Sequence, residues 1–96
     1  MIVTLVRLRL FPASQRRIKA VGCLVLDSCF QIEHVNVVEN ENGKLIVAMP
    51  SQHDRGVYHD VAHPITAALR SEIDRAVLSE YRRLLTKSTD SVIIRP

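Results

Sequence analysis

Ninety-six residues make one domain, and a chain this short buries only about two-thirds of its unfolded surface, so its core is adequate and a second copy would help it. Hydrophobic residues make up 47% of the chain, aromatics only 4%, and Trp is absent, so the core must come from Val, Ile, Leu and Ala; this excludes a disordered tail protein. Thirteen Lys and Arg, ten of them Arg, stand against ten Asp and Glu, a mild tilt towards polyanions because planar guanidinium forks match phosphate.

Ile2, Thr4, Val6, Leu8 and Leu10 alternate with Val3, Leu5, Arg7 and Arg9, which predicts an opening strand with one mainly apolar side. No apolar run reaches the roughly 18 to 20 residues that span a bilayer. Met1 leads into this charged strand and not into a signal-peptide core, so a cytoplasmic protein without a membrane partner is expected. Pro12 and Ser14 make 11–15 a turn or loop, and 16–27 is a second strand carrying Ile18, Val21, Leu24 and Val25. Asp27-Ser28 supplies a turn, and Asp27 is read as a turn carboxylate accepting backbone N–H groups. In the third strand, 30–39, Phe30 and Ile32 share one phase while Val35 and Val37 take the other, which predicts a β-bulge near Glu33-His34.

Asn42-Gly43 joins this strand to a fourth over 44–49, Asn-Gly being a hairpin signal because both residues tolerate positive φ. The polar segment 50–56 is expected to be a loop and 57–61 a short fifth strand. Pro64 suits the first turn of a helix, where its missing N–H costs nothing. From there Ile65, Leu69, Ile73, Ala76, Val77, Leu84 and, at the edge, Tyr81 form one stripe of a helix of about five turns that lies on the sheet. Its opposite side carries Arg75 and Arg82, seven residues apart, with Arg70 and Arg83 towards the edges and Glu72 and Asp74 interspersed. A solvated face with local ion pairs explains that pattern as well as a polyanion surface does. The expected fold is α+β: a small curled antiparallel sheet of about five strands followed by one C-terminal helix packed on it. Residues 1–85 form the domain, and 86–96 a tail or an extra edge strand.

Catalytic chemistry finds little to build on. Three glycines, at 22, 43 and 56, allow neither a phosphate-cradling loop nor a nucleophile elbow. His53, His59 and His63 with Asp54 and Asp60 hold the residue types of a zinc or acid-base site, but their spacing matches no tight metal template. Local hydrogen bonding is the simpler role, for example an imidazole or the Asp60 carboxylate near the first N–H groups of the helix. Cys23 and Cys29, six apart, do not make a zinc knuckle and are expected as buried thiols. The expectation is no enzyme, no cofactor, no metal and no small-molecule substrate.

The run Leu45 to Ser51, containing Ala48, Met49, Pro50 and Ser51, is followed by Tyr58 to Ile65, containing Asp60, Ala62, His63 and Pro64. Together they resemble the signature of the stage V sporulation protein G (SpoVG) family of septation regulators. Val3-Thr4 with 6–9, Leu26-Asp27 with Phe30, and Arg70, Ile73, 76–78 and Glu80-Tyr81 are similar to the same family's opening strand, second hairpin and helix. The resemblance spans about residues 1 to 85. It implies a curled sheet with a helix against it, a homodimer built by strand pairing, and tolerant DNA and RNA binding. It further implies a role in gene expression, division-septum formation and sporulation, without catalysis. Where family members often carry a basic pair after Met-Pro-Ser this chain has Gln52-His53-Asp54, and Asn36 stands where Arg is common. Arg55, Arg75 and Arg82 are expected to contact phosphate first, Arg70 and Arg83 second. The alternative is a protein-interaction adaptor that works by strand addition.

Overall fold

A computed structural model describes residues 1–11 and 17–94, the side chains of 88–94 excepted, so the loop expected over 11–15 lies outside the described residues beyond Phe11. Six strands precede one helix: β1 (Val3–Leu10), β2 (Ile18–Leu26), β3 (Phe30–Glu39), β4 (Leu45–Ala48), β5 (Ser51–Asp54), β6 (Val57–Asp60) and α1 (Ala67–Ile94). The first four form an antiparallel sheet in the order β1-β2-β3-β4, while β5 and β6 form a separate two-stranded sheet. The α+β expectation of an antiparallel sheet with a C-terminal helix holds. The five strands become four plus two because the expected loop over 50–56 contains β5, whose polar residues are exposed on both faces. Polarity there reports solvent and not the absence of a strand.

Register explains which side chains face the helix. Val6 lies opposite Leu24, Leu8 opposite Gly22 and Leu10 opposite Ala20, so these share the inner face. Leu5, Arg7 and Arg9 lie opposite Val25, Cys23 and Val21 on the outer face. Between β2 and β3, Gly22 pairs with Val35 and Leu24 with Ile32, so Glu33 and His34 together oppose Cys23. This is the expected bulge. His34 takes a φ of 61°, a left-handed conformation that His adopts more readily than bulky residues. The extra residue returns Ile32, Val35 and Val37 to one face despite their shifted phase.

The turns follow local chemistry. Asp27 and Ser28 have φ of 51° and 56°, the mirror-image turn that matches strand twist. Asp27 accepts the Ile2 N–H through Oδ1 at 2.8 Å, and Ser28 N–H donates to Thr4 Oγ1 at 2.8 Å, tying the turn back to β1. At Asn42-Gly43 only Gly43 has positive φ, 79°. Instead, Asn40 Oδ1 accepts from the N–H groups of Asn42 and Lys44, both at 2.9 Å, so that side chain organises the turn.

The helix begins at Ala67 and not at Pro64. Thr66 caps it, accepting the Leu69 N–H on Oγ1 at 3.2 Å, and Ile65, expected on the apolar stripe, lies outside the helix and is 89% exposed. Ile73, Val77 and Tyr81 are buried against Ala20, Leu24, Leu26, Val35, Val37, Val47 and Met49, with Leu69 packed beside them. Burial, with Glu39 close by, pushes the Tyr81 phenol above its ordinary pKa. Residues 86–94, expected as a tail or edge strand, continue the helix.

Candidate nucleic-acid interface

The residues of the sequence signature meet at the base of the β5–β6 hairpin. Ala48 ends β4, Met49 is buried in the core, and Val61 N–H donates to the Pro50 carbonyl at 2.7 Å where the two connections cross. Ser51 pairs with Asp60 one step outward. Ala62 and Pro64 are half-buried, and the exposed His63 approaches the Pro64 carbonyl through Nδ1 at 3.2 Å. Separate in the chain, these residues anchor the hairpin to the body. Beyond that base the hairpin is exposed throughout, and Arg55 and Gly56, with φ of 52° and 81°, form its tip.

Of the five arginines expected at phosphate, three are held by carboxylates. Arg70 donates to the Val47 carbonyl at 2.7 Å, and its Nε lies 3.3 Å from Asp74 Oδ1, an ion-pair contact without hydrogen-bond alignment. Arg75 pairs with Glu72, whose other oxygen accepts the Val3 N–H at 3.2 Å. Arg83 makes a two-pronged pair with Glu80, at 2.8 and 2.7 Å. The Arg75 contact, then the Val3 contact, hold the Glu72 carboxyl below its ordinary value, and Arg83 does the same for Glu80. Arg55 and Arg82 have no hydrogen-bond or ion-pair partner among the described residues. The local ion pairs expected as the simple explanation of the helix face are therefore present, and they leave Arg82 uncompensated.

Two further cations were legible in the sequence but were not read as site residues. Arg7 and Arg9 point outward from β1 on the face that α1 does not cover, and neither has a partner among the described residues. The strict alternation with Leu8 was the signal. The face they share is left open because, among the described residues, α1 covers the other one.

His53 and His59 point to opposite sides of the hairpin, as the pairing of His53 with Tyr58 and of His59 with Gln52 requires. His53 packs on Tyr58 instead, ring centroids 4.7 Å apart. Among the described residues no three His, Cys, Asp or Glu side chains converge as a metal site. Neither imidazole nor Asp60 reaches the helix start, where Thr66 does the capping. Cys23 is half-buried and Cys29 exposed, against the expectation of two buried thiols, because Cys23 faces outward and Cys29 follows the turn. No described helix is long and apolar enough to cross a membrane.

The SpoVG family model matches residues 1–83. Similar proteins bear the name "Putative septation protein SpoVG". That of Myxococcus xanthus (strain DK1622) is 36% identical over 87 residues, covering 90% of this chain and 87% of its own. Those of Geobacillus thermodenitrificans (strain NG80-2) and Bacillus cereus (strain AH187) are each 44% identical over 83 residues, covering 85% of this chain and 84% of theirs.

Proposed function

Because the chain belongs to the SpoVG family, we propose that it is a nucleic-acid-binding regulator of the SpoVG type and not an enzyme. In this reading it binds DNA and RNA in the cytoplasm as a homodimer, and influences gene expression, division-septum formation and sporulation or development. The observation that carries the reading is a pair of guanidiniums without a partner among the described residues, Arg55 at the tip of a projecting hairpin and Arg82 on the open side of α1. A phosphate polymer gives such groups the partners they lack. Arg75 and Arg83 can join them, since their exposed guanidiniums sit in solvent-screened ion pairs that contribute little net stability and are readily exchanged for phosphate. Arg70, bound to the β4 backbone, is the least available.

The exposed β5–β6 hairpin supports the dimer. A lone two-stranded sheet is marginal in water, whereas four strands with a covered face are not. Val57, Tyr58 and Val61 are 52%, 73% and 67% exposed, a concentration of apolar surface suited to a second copy.

Titration of affinity against salt tests the function. Arg82→Ala removes one phosphate contact per subunit and flattens the slope of log K against log salt by about two units in the dimer. An unchanged slope takes Arg82 out of the surface. The same exposed hairpin favours a second reading, a protein-interaction adaptor acting by strand addition. Affinity purification after nuclease treatment separates the two: partners that vanish were tethered by nucleic acid, and partners that persist are bound directly.

A further inference from the structure

Among the described residues nothing covers the outer face of the four-stranded sheet, and its charge is uneven. Arg7 and Arg9 share that face two residues apart, about 7 Å along β1, and project beside Cys23 and Val21 of β2. An open cleft of about 650 Å³ runs between them and the β3 bulge. Phe11 closes one end of it, and Glu33 and His34 form the far wall. Among the described residues Glu33 is its one carboxylate, and it accepts from the Gln31 amide instead of from either arginine. No ion pair or hydrogen bond engages Arg7 or Arg9 among the described residues, in contrast to Arg70, Arg75 and Arg83.

We propose that this cleft is a second nucleic-acid contact, separate from the hairpin and helix, that receives a single strand with its phosphates on Arg7 and Arg9. The proposal rests on the nucleic-acid reading of the chain and adds a site and a strand preference to it. The shape argues for a single strand. An open trough in a sheet face presents no helix or ribbon to enter a duplex groove, whereas unstacked bases can lie on Val21, Cys23 and the Phe11 ring. Charge argues for a polyanion, since two guanidiniums outweigh the single Glu33.

Fluorescence anisotropy of labelled oligo-dT and oligo-rU, against a labelled mixed-sequence duplex, tests it on the full chain. Arg7→Ala with Arg9→Ala is expected to weaken single-strand binding roughly tenfold or more and to flatten its salt slope by about 1.4 units per subunit, leaving duplex affinity within about twofold. Glu33→Gln, a change in the opposite direction that no folding defect imitates, is expected to tighten single-strand binding several-fold. Parent protein that binds neither probe overturns the nucleic-acid reading and this site with it. Parental single-strand binding that the arginine and Glu33 variants leave untouched, or equal losses on duplex and single strand, overturns this site alone. A changed oligomeric state of the arginine variant in sedimentation assigns the face to a second copy and likewise overturns it.

Discussion

Gly22 shows how one residue shapes the sheet. A Cβ built there would lie 1.8 Å from the Arg7 carbonyl oxygen and under 3 Å from the β1 backbone beyond it, contacts that only displacement of a strand could relieve. The glycine faces inward opposite Leu8 on one side and Val35 on the other, directly beside the Glu33-His34 bulge. A missing side chain and an extra residue thus meet at the same level of the sheet, and a bulge of this kind locally bends and twists its strand. Gly22→Ala is expected to destabilise the fold by about 3 kcal/mol or more, because the obstruction is backbone and cannot rotate away. The urea midpoint reads the loss. A change below about 0.5 kcal/mol would mean that β1 and β2 separate easily at this point.

Among the elements, the apolar contact between α1 and β1 is supplemented by one charge-assisted bond. Glu72 bonds simultaneously to Arg75 on its own helix and to the Val3 N–H at the start of β1, and both contacts favour the ionised carboxylate. Its folded pKa is depressed below the ordinary glutamate value of 4.5. The stabilisation is therefore complete above that value and is lost as pH falls through the lower, folded one. Glu80, depressed by Arg83, acts in the same window but ties only two residues of one helix. Glu72→Gln is expected to flatten the decline of the urea midpoint below about pH 5, with little effect at neutral pH on that slope. The parent and variant should converge at the acid end. Parallel acid limbs would show that the Val3 contact does not depend on ionisation.

At the scale of the whole molecule, the radius of gyration is 14.5 Å, against about 12.5 Å for a compact domain of this length. Two elements account for the excess: the 28-residue helix, longer than the sheet it crosses, and the hairpin held only at its base. The exposed Val57 and Tyr58 on that projection are the surface that the proposed dimer would cover. Tyr58→Glu is expected to shift the sedimentation profile towards monomer, with the urea midpoint becoming less dependent on protein concentration. Retention of the parental dimer would remove the hairpin from the interface. In the proposed dimer a two-fold axis would double every basic group, so loss of the dimer is also expected to weaken nucleic-acid binding more than Arg82→Ala does alone.

Local rules in the sequence determined the strands of the main sheet, the turn at Asp27-Ser28, the bulge at Glu33-His34 and the apolar stripe of α1, since each depends on neighbours within a few positions. The paired runs around Ala48–Ser51 and Asp60–Pro64 were equally legible as a family signature. What joined them was a tertiary fact: the Pro50–Val61 bond and the Ser51–Asp60 pair turn an apparent loop into a hairpin base. Helix phase placed Arg75 and Arg82 together, but only the fold shows Glu72 engaging Arg75 and Val3 while Arg82 has no partner among the described residues. Arg7 and Arg9 gained their meaning the same way. Alternation puts them on one side of a strand, whereas the exposure of that side depends on where α1 docks, and docking is settled by long-range burial that no local pattern contains.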